Sequence, residues 1–255
     1  MMVPVVYDGT FEGFLSAVFA VYDLKLKDVN ICKTQNAPVS LFSAAHHITC
    51  NADHAKRVWK ALGNKLSPGA RKQLFDGYLS EISGIENVML RFIQYAFSCK
   101  GYIESDFSNP DVLKLKQVSG KVHRERHRME AFVRFQKMKD GLFFSQVQPD
   151  FNVLPLIVKH FEDRYADQRW LIYDTQRKYG IYYNLHEAEE VAFGFSEETE
   201  NGKNIAAAFD ETEALYQLAW KQYFASVNIT PRKNMKLHLR HMPKRYWKNL
   251  IEKRT

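Results

Sequence analysis

The sequence contains few of the residues and motifs that mark the common protein classes. Its three cysteines, Cys32, Cys50 and Cys99, form no CxxC pair, which supports neither a disulfide framework nor a cysteine zinc site. Free thiols are typical of the reducing cytoplasm. The most apolar run, Phe14 to Tyr22, is far shorter than the ~20 residues of a membrane span, and the N-terminus lacks the basic and apolar segments of a signal peptide. We therefore expect a soluble cytoplasmic protein that is not exported and has no membrane partner.

Motifs for nucleotide and metal chemistry are missing as well. The chain contains no Walker loop and no GxGxxG, GxSxG or DxD pattern. These motifs carry triphosphate binding, dinucleotide binding, serine hydrolysis and two-metal chemistry. The sequence therefore predicts no cofactor, and any catalytic group has to be sought residue by residue.

Positive charge is present but is confined to two segments. The whole chain has a net charge of +7, of which Lys121 to Lys139 carries +5 and Pro231 to Thr255 carries +8, so that the remainder is at −6. Clustered cations favour a polyanionic ligand over general solubility. Two solvated helix faces are the alternative explanation.

Hydrophobic periodicity predicts an α+β fold, mostly helical with a small antiparallel sheet. Val3 to Tyr7 has the pattern of a strand, and helical spacing follows from Phe11 to Tyr22. Further along, Gly141 to Val147 is strand-like and Leu154 to Tyr165 is helical. Arg169 to Asp174 and Ile181 to Leu185 alternate aromatic and aliphatic residues about the turn Thr175 to Gly180, which predicts a hairpin over Arg169 to Leu185.

The domain organisation follows from helix start signals and from the lack of a linker. Asn51 or Asp53 precedes one apolar-periodic segment, Ser67 stands before Pro68 at a second, and Ser83-x-x-Glu86 resembles a capping box at a third. We predict a single domain over residues 1–255, with a helical subdomain at 51–139 and a basic C-terminal tail at 231–255.

The basic segment Lys121 to Lys139 is predicted to form one amphipathic helix that starts after a break at Gly120. Its apolar side gathers Val122, Met129, Phe132, Val133 and Gln136. Its polar side gathers His123, Arg124, His127, Arg128, Glu130 and Arg134. Such a helix buries one side and presents cations on the other.

Two uses of this polar side compete. His123 and His127 are spaced i, i+4, so that with Glu130 they could converge on a metal, but the order is not the HExxH of zincins and the surrounding cations oppose metal binding. We therefore predict no metal site and favour anion binding. Arg124, Arg128 and Arg134 fit phosphate oxygens, with the two histidines as further donors.

The tail combines cations with aromatic side chains in Lys244-Arg245-Tyr246-Trp247-Lys248. This combination is used to follow a nucleic-acid backbone and stack on a base, although Trp247 could equally anchor the tail in a core. The predicted nucleic-acid-binding residues are His123, Arg124, His127, Arg128, Arg134, Arg240, Lys244, Arg245, Trp247 and Lys248.

Three carboxylates are weak catalytic candidates. Asp8 follows a strand and precedes a helix, where capping is the commoner role. Glu130 is an acid among arginines, and Asp174 lies at the turn of the predicted hairpin. No pattern in the sequence assigns a reaction to any of them.

Four segments together resemble a bacterial family: Tyr7 to Tyr22, His123 to Phe135, His160 to Tyr183 and Arg240 to Leu250. This family has no assigned function and carries the label "probable DNA metabolism protein". Its members are encoded beside a radical-SAM protein of DNA modification or repair, and similar domains are fused to uracil-DNA glycosylase-like domains. No catalytic residue is established for it.

The resemblance implies that DNA is the ligand and that the radical-SAM protein is a partner. Combined with the clustered charge, it predicts a DNA-binding protein of a repair or modification pathway. One alternative is a glycosylase-like enzyme acting on a damaged or modified nucleobase, which needs a pocket for a flipped base. Another is a protein-interaction subunit whose basic tail docks on an acidic partner.

Overall fold

The computed structural model of the chain describes residues 2–37, 45–192, 209–210, 212–227 and 235–253. The chain divides into two compact units, residues 1–123 and 124–255. The predicted single domain with its helical subdomain stays a prediction. Parts of the predicted basic tail, residues 231–234, 254 and 255, lie outside the described residues.

The first unit contains a three-stranded parallel sheet. Strand β1 (Val3–Tyr7) lies in the centre, with β2 (Val29–Lys33) on one side and β3 (His46–His47) on the other. Helix α1 (Phe11–Asp23) connects β1 to β2. A helix between two strands returns the chain to the starting edge, which makes the strands parallel. The predicted antiparallel sheet is therefore wrong for this unit, whereas the α+β class is confirmed.

Three further helices lie in this unit, α2 (Ala52–Gly63), α3 (Pro68–Leu79) and α4 (Ile85–Ser98), and α5 (Pro110–Phe132) continues past residue 123 into the second unit. Helices α2 and α3 begin at polar caps, as two of the three start signals predict. Asn51 Oδ1 accepts hydrogen bonds from the first amides of α2, and Ser67 Oγ accepts one at the start of α3. The predicted capping box at Ser83 does not form. Gly84 precedes α4 with a left-handed φ of 77°, and Glu86 instead accepts a hydrogen bond from the buried Tyr7 hydroxyl.

The core of the first unit is aliphatic and aromatic. Its fully buried members come from the sheet and from every one of its helices: Tyr7, Phe14, Leu62, Leu74, Phe92, Ile93 and Leu115. Such burial contributes about 1.5–3 kcal/mol for each large side chain. This unit is therefore held mainly by apolar packing.

The second unit contains a five-stranded mixed sheet in the order β4-β5-β6-β7-β8. Its strands are β4 (Gln136–Lys137), β5 (Phe143–Val147), β6 (Trp170–Asp174), β7 (Tyr179–Tyr183) and β8 (Ala188–Val191). The β6–β7 hairpin is antiparallel, as predicted, but β5 and β6 are parallel. Helix α6 (Leu154–Arg164) connects those two strands, so the prediction of a purely antiparallel sheet is wrong here for the same reason.

The basic helix differs from its prediction at both ends. Helix α5 runs from Pro110 through Gly120 without a break and ends at Phe132. One glycine costs a helix about 1 kcal/mol, and Val118 and Val122 are buried on either side of it. Beyond the helix, the chain turns into β4, which pairs with β5, so the segment from 133 to 139 is not helical.

The C-terminal part of the second unit is helical. It contains α7 (Glu213–Val227), α8 (Met235–His241) and the 3₁₀ helices Lys244–Asn249 and Ile251–Lys253. Tyr246, Leu250 and Ile251 are buried. Among the helices of the described residues, none combines the length and the apolar character needed to cross a bilayer.

Candidate nucleic-acid interface and cavity

The basic helix and the basic tail meet at the buried carboxylate of Glu125, which is only 1% exposed. The Tyr246 hydroxyl donates to it at 2.6 Å. Arg128 Nη1 and Arg245 Nη2 lie 3.4 and 3.2 Å from the same oxygen, Oε2. The backbone N–H of Asp150 donates to Oε1 at 2.9 Å. One acid thus joins α5 to the tail.

Burial makes these partners necessary. A buried carboxylate without hydrogen bonds or a countercharge is strongly unfavourable. Burial and the nearby Glu125 raise the pKa of Asp150, which also pairs with Arg245 at 2.6 Å. Burial, followed by the hydrogen bond to Glu125, raises the pKa of Tyr246. Tyr246 therefore stays a neutral donor, and the tail is fixed by a charge network.

A second attachment lies further along the same segments. Arg134 Nη2 donates to Glu252 Oε1 at 2.9 Å, and Trp220 Nε1 donates to Glu252 Oε2 at 2.9 Å. The Arg134 guanidinium also lies 5.3 Å from the centre of the Trp220 ring. Burial alone would raise the pKa of Glu252, but these hydrogen bonds outweigh it, so the pKa is lowered.

The predicted nucleic-acid-binding residues divide into two groups. Arg128, Arg134 and Arg245 are paired with carboxylates. The exposed group consists of His123, Arg124, His127, Arg240, Lys244 and Lys248. Arg124 is the exposed cation nearest in sequence to the Glu125 network, and the structure places Lys244 beside Arg245 in the 3₁₀ helix.

Trp247 is not displayed as an open stacking surface. It is half-buried, its Nε1 donates to the Met242 carbonyl at 3.1 Å, and Lys253 lies 5.1 Å from its ring centre. Its neighbour Lys248 hydrogen-bonds the Gln148 side chain. This geometry favours the anchoring role over base stacking.

The three catalytic candidates occupy separate places. In the first unit, Asp8 Oδ1 accepts from the Thr10 N–H and hydroxyl, and Thr10 caps α1 by accepting from Gly13. In the second unit, Asp174 is fully buried and accepts from the backbone and guanidinium of Arg177. Both carboxylates organise local turns. Of the three, Glu130 lines a cavity.

Glu130 is half-buried on α5, where Arg126 Nε donates to it at 2.8 Å. His127 Nδ1 lies 3.6 Å from its other oxygen, so the acid does lie between basic side chains. No group of three or more metal-ligating side chains occurs within the described ranges. His127 and Glu130 thus lie within ion-pair distance of each other on α5.

The cavity has a volume of about 1090 Å³ and lies within the second unit. The end of α5, helix α6 and helix α7 supply most of its wall. Its lining residues include Glu130, Arg134, Phe135, His160, Phe161, Arg164, Tyr165, Gln168, Glu213, Tyr216 and Trp220. The wall therefore combines aromatic rings with cationic, acidic and amide groups.

Two features of this site are absent from the sequence predictions. Glu125 is the first, although its i−3, i+4 and i+7 neighbours Val122, Met129 and Phe132 would have placed it on the buried side of the helix. The second is the cavity wall. His160 and Arg164 on α6, and Tyr216 and Trp220 on α7, share i, i+4 spacing, but no periodic signal brings two separate helices together.

The family is shown by comparison with known proteins. The sequence model of the family DUF4130, which is described as a domain of unknown function, matches residues 83–252. The chain therefore belongs to the DUF4130 family. This confirms the predicted membership of a family without an assigned function.

Two further comparisons add no function. No curated protein matches the chain. One similar solved structure is described as the pGpG-specific phosphodiesterase PggH from Vibrio cholerae. It is 10% identical in sequence, and the match covers 80% of this chain and 97% of that chain with a TM-score of 0.35. At this TM-score, the likeness supports no conclusion about fold or activity.

Proposed function

We propose that this chain is a DNA-binding protein of a DNA repair or modification pathway. The observation that carries the proposal is the shared oxygen of Glu125, because it joins the two basic segments of the sequence into one surface of the second unit. Clustered cations are the electrostatic footprint of a nucleic-acid ligand. The pathway itself rests on the family resemblance carried by Tyr7–Tyr22, His123–Phe135, His160–Tyr183 and Arg240–Leu250.

The phosphate contacts are assigned by exposure. Arg124, Lys244 and Lys248 are exposed, so a phosphate can approach them from solvent, and Lys248 also donates to the Gln148 side chain. Arg128 and Arg245 each use one terminal nitrogen on Glu125, and an arginine has further donors for a phosphate. Glu125 thus positions two arginines while the lysines supply long-range attraction.

DNA is the proposed ligand, and a radical-SAM protein of DNA modification or repair is the proposed partner. The second proposal comes from the resemblance alone. Purification of the two co-expressed proteins tests it, since a stoichiometric complex that survives nuclease treatment is expected. Separate elution at micromolar concentration would remove this partner from the proposal.

The salt dependence of DNA binding tests the basic surface. Affinity for a labelled duplex is measured by anisotropy over a series of salt concentrations. In the triple variant Arg124→Ala, Lys244→Ala, Lys248→Ala, we expect weaker binding and a log–log salt slope that is smaller by about 2 to 3, because each lost phosphate contact removes about 0.9.

The control is a triple variant that loses the same number of positive charges in the first unit. Lys56, Lys60 and Lys72 are exposed residues of the first unit, and their triple alanine variant should keep the wild-type slope. Equal slopes for both triple variants, or binding that does not respond to salt, would show that the surface around Glu125 is not the DNA interface.

A further inference from the structure

The cavity of the second unit contains polar side chains that the fold itself does not use. Within the described part of the chain, no hydrogen bond or ion pair engages the side chains of His160, Arg164, Tyr165, Gln168 or Tyr216, all of which line the cavity. These side chains are half-buried or exposed, so their polar atoms are available to a ligand. A cavity lined by aromatic side chains with a few convergent polar groups is the usual form of a ligand site.

The apolar part of the wall is aromatic. It includes the rings of Phe135, Phe161, Tyr165, Tyr216 and Trp220. Tyr216 and Trp220 lie one turn apart on α7, where they are 62% and 38% exposed. Exposed rings on a helix are costly to solvate and offer flat surfaces for a planar ligand.

The positive charge of Arg164 indicates which planar ligands fit the cavity. Arg164 is exposed at the wall, and its guanidinium lies 5.7 Å from the centre of the Tyr165 ring. An exposed guanidinium beside aromatic rings fits a ligand that has both a planar ring and an anionic group. Gln168 and His160 supply the donors and acceptors that the edge of a nucleobase requires.

The volume of the cavity limits the size of the ligand. Small-molecule sites commonly measure about 300–1,000 Å³, and this cavity reaches about 1090 Å³. Such a space admits a base together with its sugar and phosphate. An aliphatic chain would leave Arg164, Gln168 and His160 without partners, which is unfavourable.

We infer that the cavity receives an unpaired nucleotide of the bound DNA, with the base stacked on Tyr216 and its phosphate on Arg164. The inference rests on the proposed function and adds a preference for a strand with an extrahelical base. Glu130 and His160 then line the space beside that base.

Paired oligonucleotides test the preference. Two labelled hairpins of identical stem are compared, one fully paired and one with a single unpaired thymidine. We expect wild-type protein to bind the second hairpin about ten-fold more tightly, the size of one base-aromatic stacking contact. Tyr216→Ala and Arg164→Gln should each remove most of this preference, because affinity for the hairpin with the unpaired thymidine should fall much more than affinity for the paired hairpin.

A control variant and a crosslink make the result specific. Leu218→Ala changes an equally exposed apolar residue of the same helix that does not line the cavity, and it should keep the preference. Replacing the unpaired thymidine by 5-iodouracil should give a photocrosslink that maps to Tyr216 or Trp220.

The outcomes separate this inference from the proposed function. Salt-dependent binding with no preference for the unpaired base, or a crosslink outside the cavity, would overturn the inference and leave the DNA surface standing. Absence of binding to either hairpin would overturn both. A preference that Tyr216→Ala and Leu218→Ala lower equally would show that α7 stability, not the cavity, is responsible.

Discussion

Two buried acids in each unit have different kinds of partner. In the first unit, the carboxylates of Asp76 and Glu86 accept hydrogen bonds from the hydroxyls of Ser119 and Tyr7, at 2.7 and 3.3 Å. In the second unit, Glu125 and Asp174 are paired with arginine guanidiniums. The first unit thus displays hydroxyl-bound acids in an apolar core, whereas the second contains buried ion pairs.

This difference agrees with the ligand surface proposed for the second unit. Replacing a buried ion pair by apolar side chains is often neutral or stabilising, so a unit that keeps several such pairs has a use for their geometry. The second unit also contains the cavity and the exposed cations of the tail. We therefore expect substitutions there to change ligand binding as well as stability.

The largest expected effect is at Glu125. Glu125→Ala leaves the Arg128 and Arg245 guanidiniums and the Tyr246 hydroxyl without their acceptor, which should lower the free energy of unfolding by about 3–5 kcal/mol. Urea denaturation measures this change. The control Glu189→Gln removes an exposed acid of β8 and should shift stability by less than about 0.5 kcal/mol. If the two variants are equally stable, the ion-pair network does not hold the second unit.

A matched pair of tyrosines sharpens the comparison. Tyr246 donates to Glu125 at 2.6 Å, and Tyr7 donates to Glu86 at 3.3 Å. Tyr246→Phe should cost about 1.5–3 kcal/mol, because its bond to the charged acceptor is short. Tyr7→Phe should cost about 1 kcal/mol, because its bond is longer. Unfolding in urea compares the two, and a larger loss for Tyr7→Phe would reverse the ranking of the units.

A helix cap tests the first unit alone. Thr10 Oγ1 accepts from the Gly13 N–H at 2.9 Å at the start of α1. Thr10→Ala should lower stability by about 1 kcal/mol, while Thr10→Ser should retain most of it. Thermal unfolding distinguishes them. Both variants should bind the duplex with the wild-type salt slope, and a changed slope would show that the first unit takes part in binding.

The smallest expected effect is a pH dependence from Glu252. Its pKa is lowered in the folded protein by hydrogen bonds from Arg134 and Trp220, which outweigh burial. The resulting stabilisation is fully present above the unfolded pKa, near 4.5, and is lost as the pH falls through the lower folded pKa. Glu252→Gln should therefore lose less stability than the wild type between pH 6 and pH about 3.5. Parallel curves in urea would exclude this contribution.

Local signals predicted much of the fold because they depend on neighbouring residues. The caps at Asn51 and Ser67 and the hairpin around Asp174 are examples. The direction of β5 relative to β6 depends on the crossover through α6, which a pattern confined to each strand does not contain. The end of α5 at Phe132 is set by the pairing of β4 with β5.

The sequence predicted which segments of the candidate site carry positive charge. It did not predict which acids pair with those cations. Counting residues located the basic helix and the tail, because cations cluster in both. Arg134 and Arg245 pair with acids that are more than a hundred residues away in the sequence. A pattern of neighbouring residues does not contain such contacts. The cavity depends on packing between residues that are far apart in the sequence, from Glu130 to Ile251.

The single oxygen that Arg128 and Arg245 share makes the two arginines thermodynamically coupled. When either arginine is replaced, the other still pairs with the Glu125 carboxylate. Replacing the second arginine should therefore lower the free energy of unfolding more than replacing the first. In a double-mutant cycle the two losses would then be non-additive, as is usual for residues within one network. Under the proposed function, a DNA phosphate would bind the remaining donors of these two guanidiniums. Substitution of either arginine should therefore change ligand affinity and fold stability together.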